Sequence, residues 1–501
     1  MRLTIKFSLF IALGLFLGSC KGFLEKENLT SITADNFYQT EEDAYSGLWA
    51  AYSTLQLDGQ LVGAGHFRWF WGDIVSDDAD KGGSGPNDVA SLDRLENFLG
   101  RPTNELLSAE WRADYDGIYY ANVVLENVPG IEMDPFAKEQ ILGEAKFIRA
   151  YNYYQLVTIF GGVPLVTGIL SPSEEQIPRA ADTEIWSQIE TDLTEAIAVL
   201  PARSQYELSE QGRVTKGAAQ ALLLKTYAWQ EKWEDAVQVA SDIVASGEYH
   251  LVDSYGTIFQ LSGEFNEESV FEIAYWNGSG GDWGFFEEGT LTNVFQRPRG
   301  QFGGFGFNLP TQDLVDEFEE GDPRLGWTLF QIGDDLPGRG ELTTDATGYP
   351  HEYYPRKYYI TPAEEATLGA PETNGPSNER IIRYSDVLLL YAEAAHHTGD
   401  EALARDLVNQ VRERARGGNE EILPDVTASG QALLDAIYHE RRVELALEGH
   451  RFFDLVRTGR AGEVMRAHGK TNFQDGTHEL FPIPTREIQL SNGLIEQNPG
   501  Y

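Results

Sequence analysis

Cys20 is the only cysteine in 501 residues, and its isolation narrows what the rest of the chain can be. No disulfide can form within one copy, and no zinc or iron–sulfur site can be built on several thiolates, so the fold must hold by packing alone. The material for that is ample: 42% of the residues are hydrophobic, enough for a large core. No run beyond the first twenty residues approaches the length of a membrane span.

The cysteine's position carries a second message. Arg2 and Lys6 lead an apolar stretch from Phe7 to Leu17, and small Gly18 and Ser19 stand directly before Cys20. A basic start, a short apolar segment and small residues at a cut site make an export signal. At about 1.5 Å per helical residue the stretch falls short of the ~30 Å hydrocarbon core. Leu17-Gly18-Ser19-Cys20 is similar to a bacterial lipobox, in which the thiol is acylated and becomes residue one. An ordinary secretory signal with an incidental cysteine is the alternative. Several acyl chains at ~0.8 kcal/mol per buried methylene would tether the protein firmly to a membrane.

The formal charge of −41 is spread along the chain. It argues against nucleic acid, anionic lipid headgroups and sulfated polymers as general partners and fits a neutral or cationic ligand, or simply a well-solvated surface. Aromatic residues make up 12% of the chain, including 10 Trp and 23 Tyr, side chains that suit a sugar-binding surface although most will be core.

Apolar residues Ala44, Leu48, Ala51 and Leu55 recur at helical spacing between Glu41 and Leu57. Gly, Asp and Ser interrupt Phe67 to Pro102, which reads as a long loop carrying Trp69 and Trp71. Helical periodicity returns over Glu110 to Asn127, Phe136 to Phe160, Thr183 to Leu200, Val214 to Gln230 and Trp233 to Ser246, and again over Ile381 to Thr398, Glu401 to Arg416 and Gln431 to Gly449. Ala218, Ala221, Ala236 and Ala240, and likewise Ala392, Ala395 and Ala404, are small residues of the kind helix–turn–helix repeats of tetratricopeptide type place where helices cross. Between the repeats, about 247–378, the chain is rich in Gly, Pro and aromatics, with a strand expected over Ser269 to Tyr275.

Several segments together resemble the SusD/RagB family of outer-membrane lipoproteins of Bacteroidota. They are Gly143-Glu144-Ala145-Lys146-Phe147-Ile148-Arg149-Ala150-Tyr151 with Phe160-Gly161-Gly162-Val163-Pro164-Leu165; Gly212-Arg213-Val214-Thr215-Lys216-Gly217-Ala218; Arg383-Tyr384-Ser385-Asp386-Val387-Leu388; Glu440-Arg441-Arg442-Val443-Glu444 with Glu448-Gly449-His450-Arg451-Phe452-Phe453-Asp454; and Phe481-Pro482-Ile483-Pro484 with Gln497-Asn498-Pro499-Gly500-Tyr501. They run in family order from one end of the chain to the other. Ser491-Asn492-Gly493 departs from the Asn-Pro often found there, a change confined to a turn.

The resemblance implies a mostly α SusD-like fold, with four tetratricopeptide-like helix pairs wrapped by loop-rich, minor-β segments. The implied organisation is a signal peptide over 1–19, a lipidated tether over 20–29 and one domain over 30–501, its helical scaffold at about 30–246 and 379–460 and a ligand-binding insertion at about 247–378. The implied role is glycan capture at the outer-membrane surface and delivery to a SusC-like TonB-dependent transporter, with no catalysis and no cofactor. The recurrent charged residues read as architectural, since acids and Arg alternate at spacings of three and four through Glu440 to Arg457, and Asp454 and Arg457 look like a pair that locks the last helix.

A glycan offers apolar C–H faces and a rim of hydroxyls, so its site needs exposed aromatic platforms beside Asp, Asn, Gln or Arg. The favoured candidates are Trp276 and Trp283 as platforms, with Asn277 and Asp282 bonding hydroxyls and Phe285 nearby. Trp69, Trp71, Asp73 and Asp77 form a second set, although both indoles could equally point inward. Tyr349, Tyr353 and Tyr354 follow. Asp77, Asp78 and Asp80 are a lesser option for calcium, without the ordered spacing of a calcium loop. A neutral glucan, including a laminarin-type β-glucan, fits the charge; Arg297 and Arg299 are the one cluster that could reverse it locally. Peptide cargo or an adaptor role is the alternative. Glycoside hydrolysis is disfavoured because no nucleophile elbow, His-Glu-x-x-His or phosphate loop is present.

Overall fold

The computed structural model describes residues 37–59, 67–171, 176–276, 289–300, 302–344, 352–368 and 374–501. The signal segment, Cys20, Asn277, Asp282, Trp283, Phe285 and Tyr349 lie outside them.

Eight long helices make the frame. They are α1 (Glu41–Ser53), α2 (Glu105–Asn127), α3 (Pro135–Phe160), α4 (Asp182–Val199), α5 (Lys216–Trp229), α6 (Trp233–Ser246), α7 (Tyr384–His397) and α8 (Glu401–Arg416). Their ends are set by local chemistry. Thr40 and Asp43 close a reciprocal cap on α1, Asn104 and Asp134 accept from the first free amides of α2 and α3, and α6 and α8 stop at Gly247 and Gly417 in left-handed conformation.

α1 lies on α2, α3 on α4, α5 on α6 and α7 on α8, and each pair leans on the next through α2–α3, α4–α5 and α6–α7. These are the four tetratricopeptide-like pairs. Where α5 crosses α6, Ala218, Ala221, Ala236 and Ala240 are fully buried, so the helices meet at close range. α3 is the spine: from Phe147 to Phe160 every side chain is buried, because helices and strands cover it on all sides.

Two of the expected elements differ. The run beginning at Ile381 is not all helix: Glu379–Arg383 is a strand that pairs antiparallel with Ser269–Ile273, and α7 begins only at Tyr384. β-branched Ile381 and Ile382 favour the strand, and Arg383 ends it in a buried ion network. The segment from Phe67 to Pro102 is not an open loop either. It forms a π-helical turn at Phe70–Ile74, a strand at Ala79–Gly82 and a helix at Ala90–Glu96, largely buried.

α9 (Gln431–Glu444) and α10 (Arg451–Arg457) close the core. At the end of α9, Glu444 accepts from Arg383 at 2.9 Å and Arg324 at 3.1 Å, and also from Arg414. Glu448 takes Arg383 at 2.7 Å and Lys357 at 2.6 Å. Arg457 pairs with Asp454 and with Glu393, both at 2.8 Å, so the motif residues act as internal clamps.

Candidate functional site

The Trp-rich segment before the first strand faces inward. Trp69 is buried among Phe67, Phe70 and Phe295 and donates to Thr292 Oγ1 at 3.3 Å. Trp71 is buried edge-on to Phe481 and donates to Glu110 Oε2 at 3.0 Å. Neither ring face is open to a ligand. Both indoles point into the core, Trp69 at the cap and Trp71 within a single wide π-helical turn at Phe70–Ile74.

The aspartates that follow are equally committed. Asp73 is fully buried, accepts from the Gly449 amide at 2.9 Å and from Asn308 at 3.3 Å, and burial pushes its carboxyl up to about 8. Asp77 is gripped by Arg451 at 2.8 and 2.9 Å and by Arg442 at 2.8 Å, and Asp78 by Arg442 at 2.8 Å. Although burial opposes it, these guanidinium groups hold the Asp77 carboxyl well below the usual range. With Asp77 and Asp78 held by Arg442 and Arg451, and Asp80 placed in a strand opposite Leu309, the three acids do not form a calcium site. Among the described residues no cluster of His, Cys, Asp or Glu is fit to hold a metal.

The remaining candidates divide. Arg297 pairs with Glu365, which Arg339 shares, and Arg299 with Asp88 at 2.9 Å, so both are already engaged within the protein. Tyr354 is buried beside Phe330 and Leu336, while Tyr353 is half-buried and donates to Gln312 at 2.8 Å. Trp276 is different: 67% of it is exposed, the most of any Trp, Tyr or Phe among the described residues.

Trp276 follows two residues behind Ala274, and Ala274 lines a groove of about 690 Å³. One wall is α1 with Tyr45, Trp49 and Tyr52; the opposite wall is the turn from Ser209 to Arg213; Phe271 to Ala274 form the floor. Gln56 crosses from the end of α1 to donate to the Ala274 carbonyl at 2.6 Å. Beyond the Glu210–Arg213 turn lies a smaller hollow of about 290 Å³.

Beneath the groove, the Arg213 guanidinium pairs with buried Glu144 at 2.6 Å, and Tyr52 donates to the same carboxylate at 2.6 Å. Burial pushes the Glu144 carboxyl up; Arg213, Tyr52 and Gln140 pull it back by bonding its ionised form. Arg213 in turn lies 5.6 Å from the Tyr45 ring, 5.5 Å from Trp49 and 5.6 Å from Tyr206. Tyr45, Trp49 and Tyr52 were not among the sequence candidates, yet the signal was there: i, i+4 and i+7 set them along one flank of α1, about 100° round the helix from buried Ala44, Leu48, Ala51 and Leu55.

The helix pairs thus carry an open groove, and an exposed Trp lies two residues along the chain from its lining residue Ala274. The family model described as "SusD family" matches residues 267–501, and that described as "Starch-binding associating with outer membrane" matches 88–228. SusD-like protein P38 of Formosa agariphila is 29% identical across all of this chain and 99% of its own length. Among solved structures, a laminarin-binding SusD-like protein superposes with a TM-score of 0.81 at 34% identity, covering 93% of this chain and 100% of that one. The surface glycan-binding protein A of Bacteroides fluxus gives 0.80 at 27%, covering 92% and 100%. The chain belongs to the SusD family. It is accordingly a binding protein and not an enzyme, of a family associated with the outer membrane. No helix among the described residues is long and apolar enough to cross a membrane.

Proposed function

We propose that this protein is a lipoprotein held on the outer-membrane surface through Cys20, where it captures a neutral glucan of laminarin type and hands it to a SusC-like TonB-dependent transporter. One observation carries the reading: a Trp exposed over two thirds of its surface stands beside an open groove in a chain 34% identical to a laminarin-binding SusD-like protein. An aromatic platform of this kind contributes about 0.5–1.5 kcal/mol by analogy with aromatic pairs, so two or three give millimolar to micromolar binding, suited to a protein that must release its cargo. Trp283, Asn277, Asp282, Phe285 and Tyr349 stay in the proposed contact set with Trp276. The charge of −41 supports a neutral ligand over uronate or sulfated polymers.

The test is isothermal titration against a panel of neutral and anionic polysaccharides, repeated with Trp276→Ala and Trp283→Ala. Saturable binding to a neutral glucan, lost in either variant, is the expected result; no binding to any polymer would turn the reading towards peptide cargo or an adaptor. Labelling of cells with a palmitate analogue checks the anchor, with incorporation expected in the native chain and absent in Cys20→Ala.

A further inference from the structure

We infer that Tyr45 and Trp49 on α1, backed by Arg213, form a second sugar platform that extends the Trp276 surface along the groove. The inference rests on the glycan-capture reading and deepens it: the ligand is a chain of several neutral sugars rather than one terminal residue.

Trp49 is 45% exposed although it has neighbours, and Tyr45 lies nearly parallel to it, with ring centroids 5.9 Å apart and planes 22° apart. Large rings left open to water along a groove are the mark of a binding surface. The guanidinium of Arg213 supports both rings from the protein side. Its own place is fixed by Glu144, which is buried and also bound by Tyr52 and by Gln140 at 3.1 Å. The rings are therefore held before any ligand arrives, and little side-chain entropy remains to be lost on binding.

The groove's chemistry selects the ligand class. Its volume of about 690 Å³ falls within the ordinary range for small-ligand sites. Ser209 and Gln211 on the facing turn are exposed and offer donors and acceptors to hydroxyls. Arg213 brings no free positive charge, since Glu144 and Glu210 both pair with it, and Glu272 also lines the groove, so an anionic ligand gains nothing there. Two peptide units span at most about 7 Å. The backbone of Trp276 therefore lies within about 7 Å of Ala274 in the groove lining, a separation that an oligosaccharide of several units can bridge to touch both platforms.

The experiment titrates the full-length protein with β-1,3-linked glucose di-, tetra- and hexasaccharides, comparing the native chain with Trp276→Ala, Trp49→Ala and Trp49→Phe, with the thermal midpoint of each measured alongside. Trp276→Ala is expected to weaken all lengths. Trp49→Ala is expected to leave the disaccharide within about twofold and to weaken the hexasaccharide roughly three- to tenfold, with Trp49→Phe keeping most of the affinity. Native hexasaccharide affinity in Trp49→Ala, with loss in Trp276→Ala, overturns the second platform and leaves glycan capture standing. Equal loss at every length in Trp49→Ala also overturns it, because that marks a ring that only steadies the fold. Failure of the native chain to bind any of the three sinks the capture reading and this one with it.

Discussion

Arg451 and Asp77, 374 positions apart, meet in a two-point ion pair, with Nε to Oδ1 at 2.8 Å and Nη2 to Oδ2 at 2.9 Å. The aspartate sits in the segment that the sequence offered as ligand-binding, and the arginine belongs to the C-terminal family motif. Removing one partner of a buried pair strands the other charge, at a cost of about 3–5 kcal/mol. Asp77→Ala is therefore expected to lower stability by that order in chemical denaturation. Glycan affinity of the folded protein is expected to stay at the native value, which a titration below the unfolding transition checks.

The same pairing answers the calcium question. A metal would have to displace Arg451 and Arg442 from Asp77 and Asp78, stripping the buried Arg451 guanidinium of its partners and leaving Arg442 with Glu317 alone. Millimolar calcium or excess EDTA is expected to leave the thermal midpoint unchanged. A rise with calcium that EDTA reverses would point to a site elsewhere in the chain.

How much of this was legible depended on whether a residue's partners were local. Helices such as Trp233–Ser246 could be read from periodicity because their apolar face repeats within one turn. Asp454 and Arg457, three residues apart, showed their pairing in the spacing. Trp71 could not: its partners Glu110 and Phe481 lie far away in the chain, and an indole beside Gly and Asp looks the same whether it caps a core or a ligand. Asp77 was misread for the same reason. The exposure of Trp276 was legible because Gly-rich sequence around it offered no local core. Tyr45, Trp49 and Tyr52 were overlooked although their spacing was visible, since aromatic residues scattered along an amphipathic helix are as common on its half-buried flank as at a ligand site.

Close backbone approach explains Gly72 and the motif glycine Gly449. A Cβ built on Gly72 would stand 2.1 Å from the carbonyl carbon and oxygen of Gly449, and Gly449 itself has φ +77° with Arg68 Cβ at 2.9 Å from where its own Cβ would be. Neither contact can be relieved by turning a flexible side chain. Gly72→Ala is expected to cost roughly 1–3 kcal/mol, as overpacking does, and Gly449→Ala at least as much through added strain at positive φ. Gly333, with φ +99° and open space around it, separates the terms: Gly333→Ala carries strain without collision. Denaturant midpoints are expected to fall most for Gly449→Ala.

Desolvated carboxyls pull stability down as pH rises, buried Asp73 and Glu96 and half-buried Glu264 among them, against the opposite pull of His450, whose burial holds its imidazole low. Desolvation raises Asp73 to about 8 and both Glu96 and Glu264 to about 7, far above the ~4 of the unfolded chain. Between about pH 4 and 8 the native state then binds more protons than the unfolded one, so these groups lower stability as pH rises through that window. Glu317 works the other way: burial opposes its ionisation, but His439 and Arg442 hold it down to about 2, so its contribution is present above pH ~4.5 and lost as pH falls towards 2. The thermal midpoint is expected to be highest near pH 5 and lower at pH 8. Asp73→Asn, which keeps an oxygen for the Gly449 amide, is expected to shrink that drop by at least about 1 °C. A midpoint that rises steadily from pH 5 to 8 in the native chain would contradict the assignment.

Ligand charge gives the last prediction. The groove beside Trp276 holds Glu210 and Glu272, its one arginine is neutralised by Glu144 and Glu210, and Arg297 and Arg299 are each paired elsewhere. No free cation among these residues waits for a uronate or sulfate, and the net −41 repels polyanions at long range. Stacking and hydroxyl bonding to a neutral glucan involve no ion pairing. Affinity for such a glucan is therefore expected to change less than twofold between low salt and about 0.5 M NaCl, where the Debye length shrinks to a few ångströms. Alginate, pectin and sulfated glucans are expected not to bind at either salt concentration. Binding of an anionic polymer that salt weakens would place an unpaired cation at the site and overturn the neutral-ligand reading.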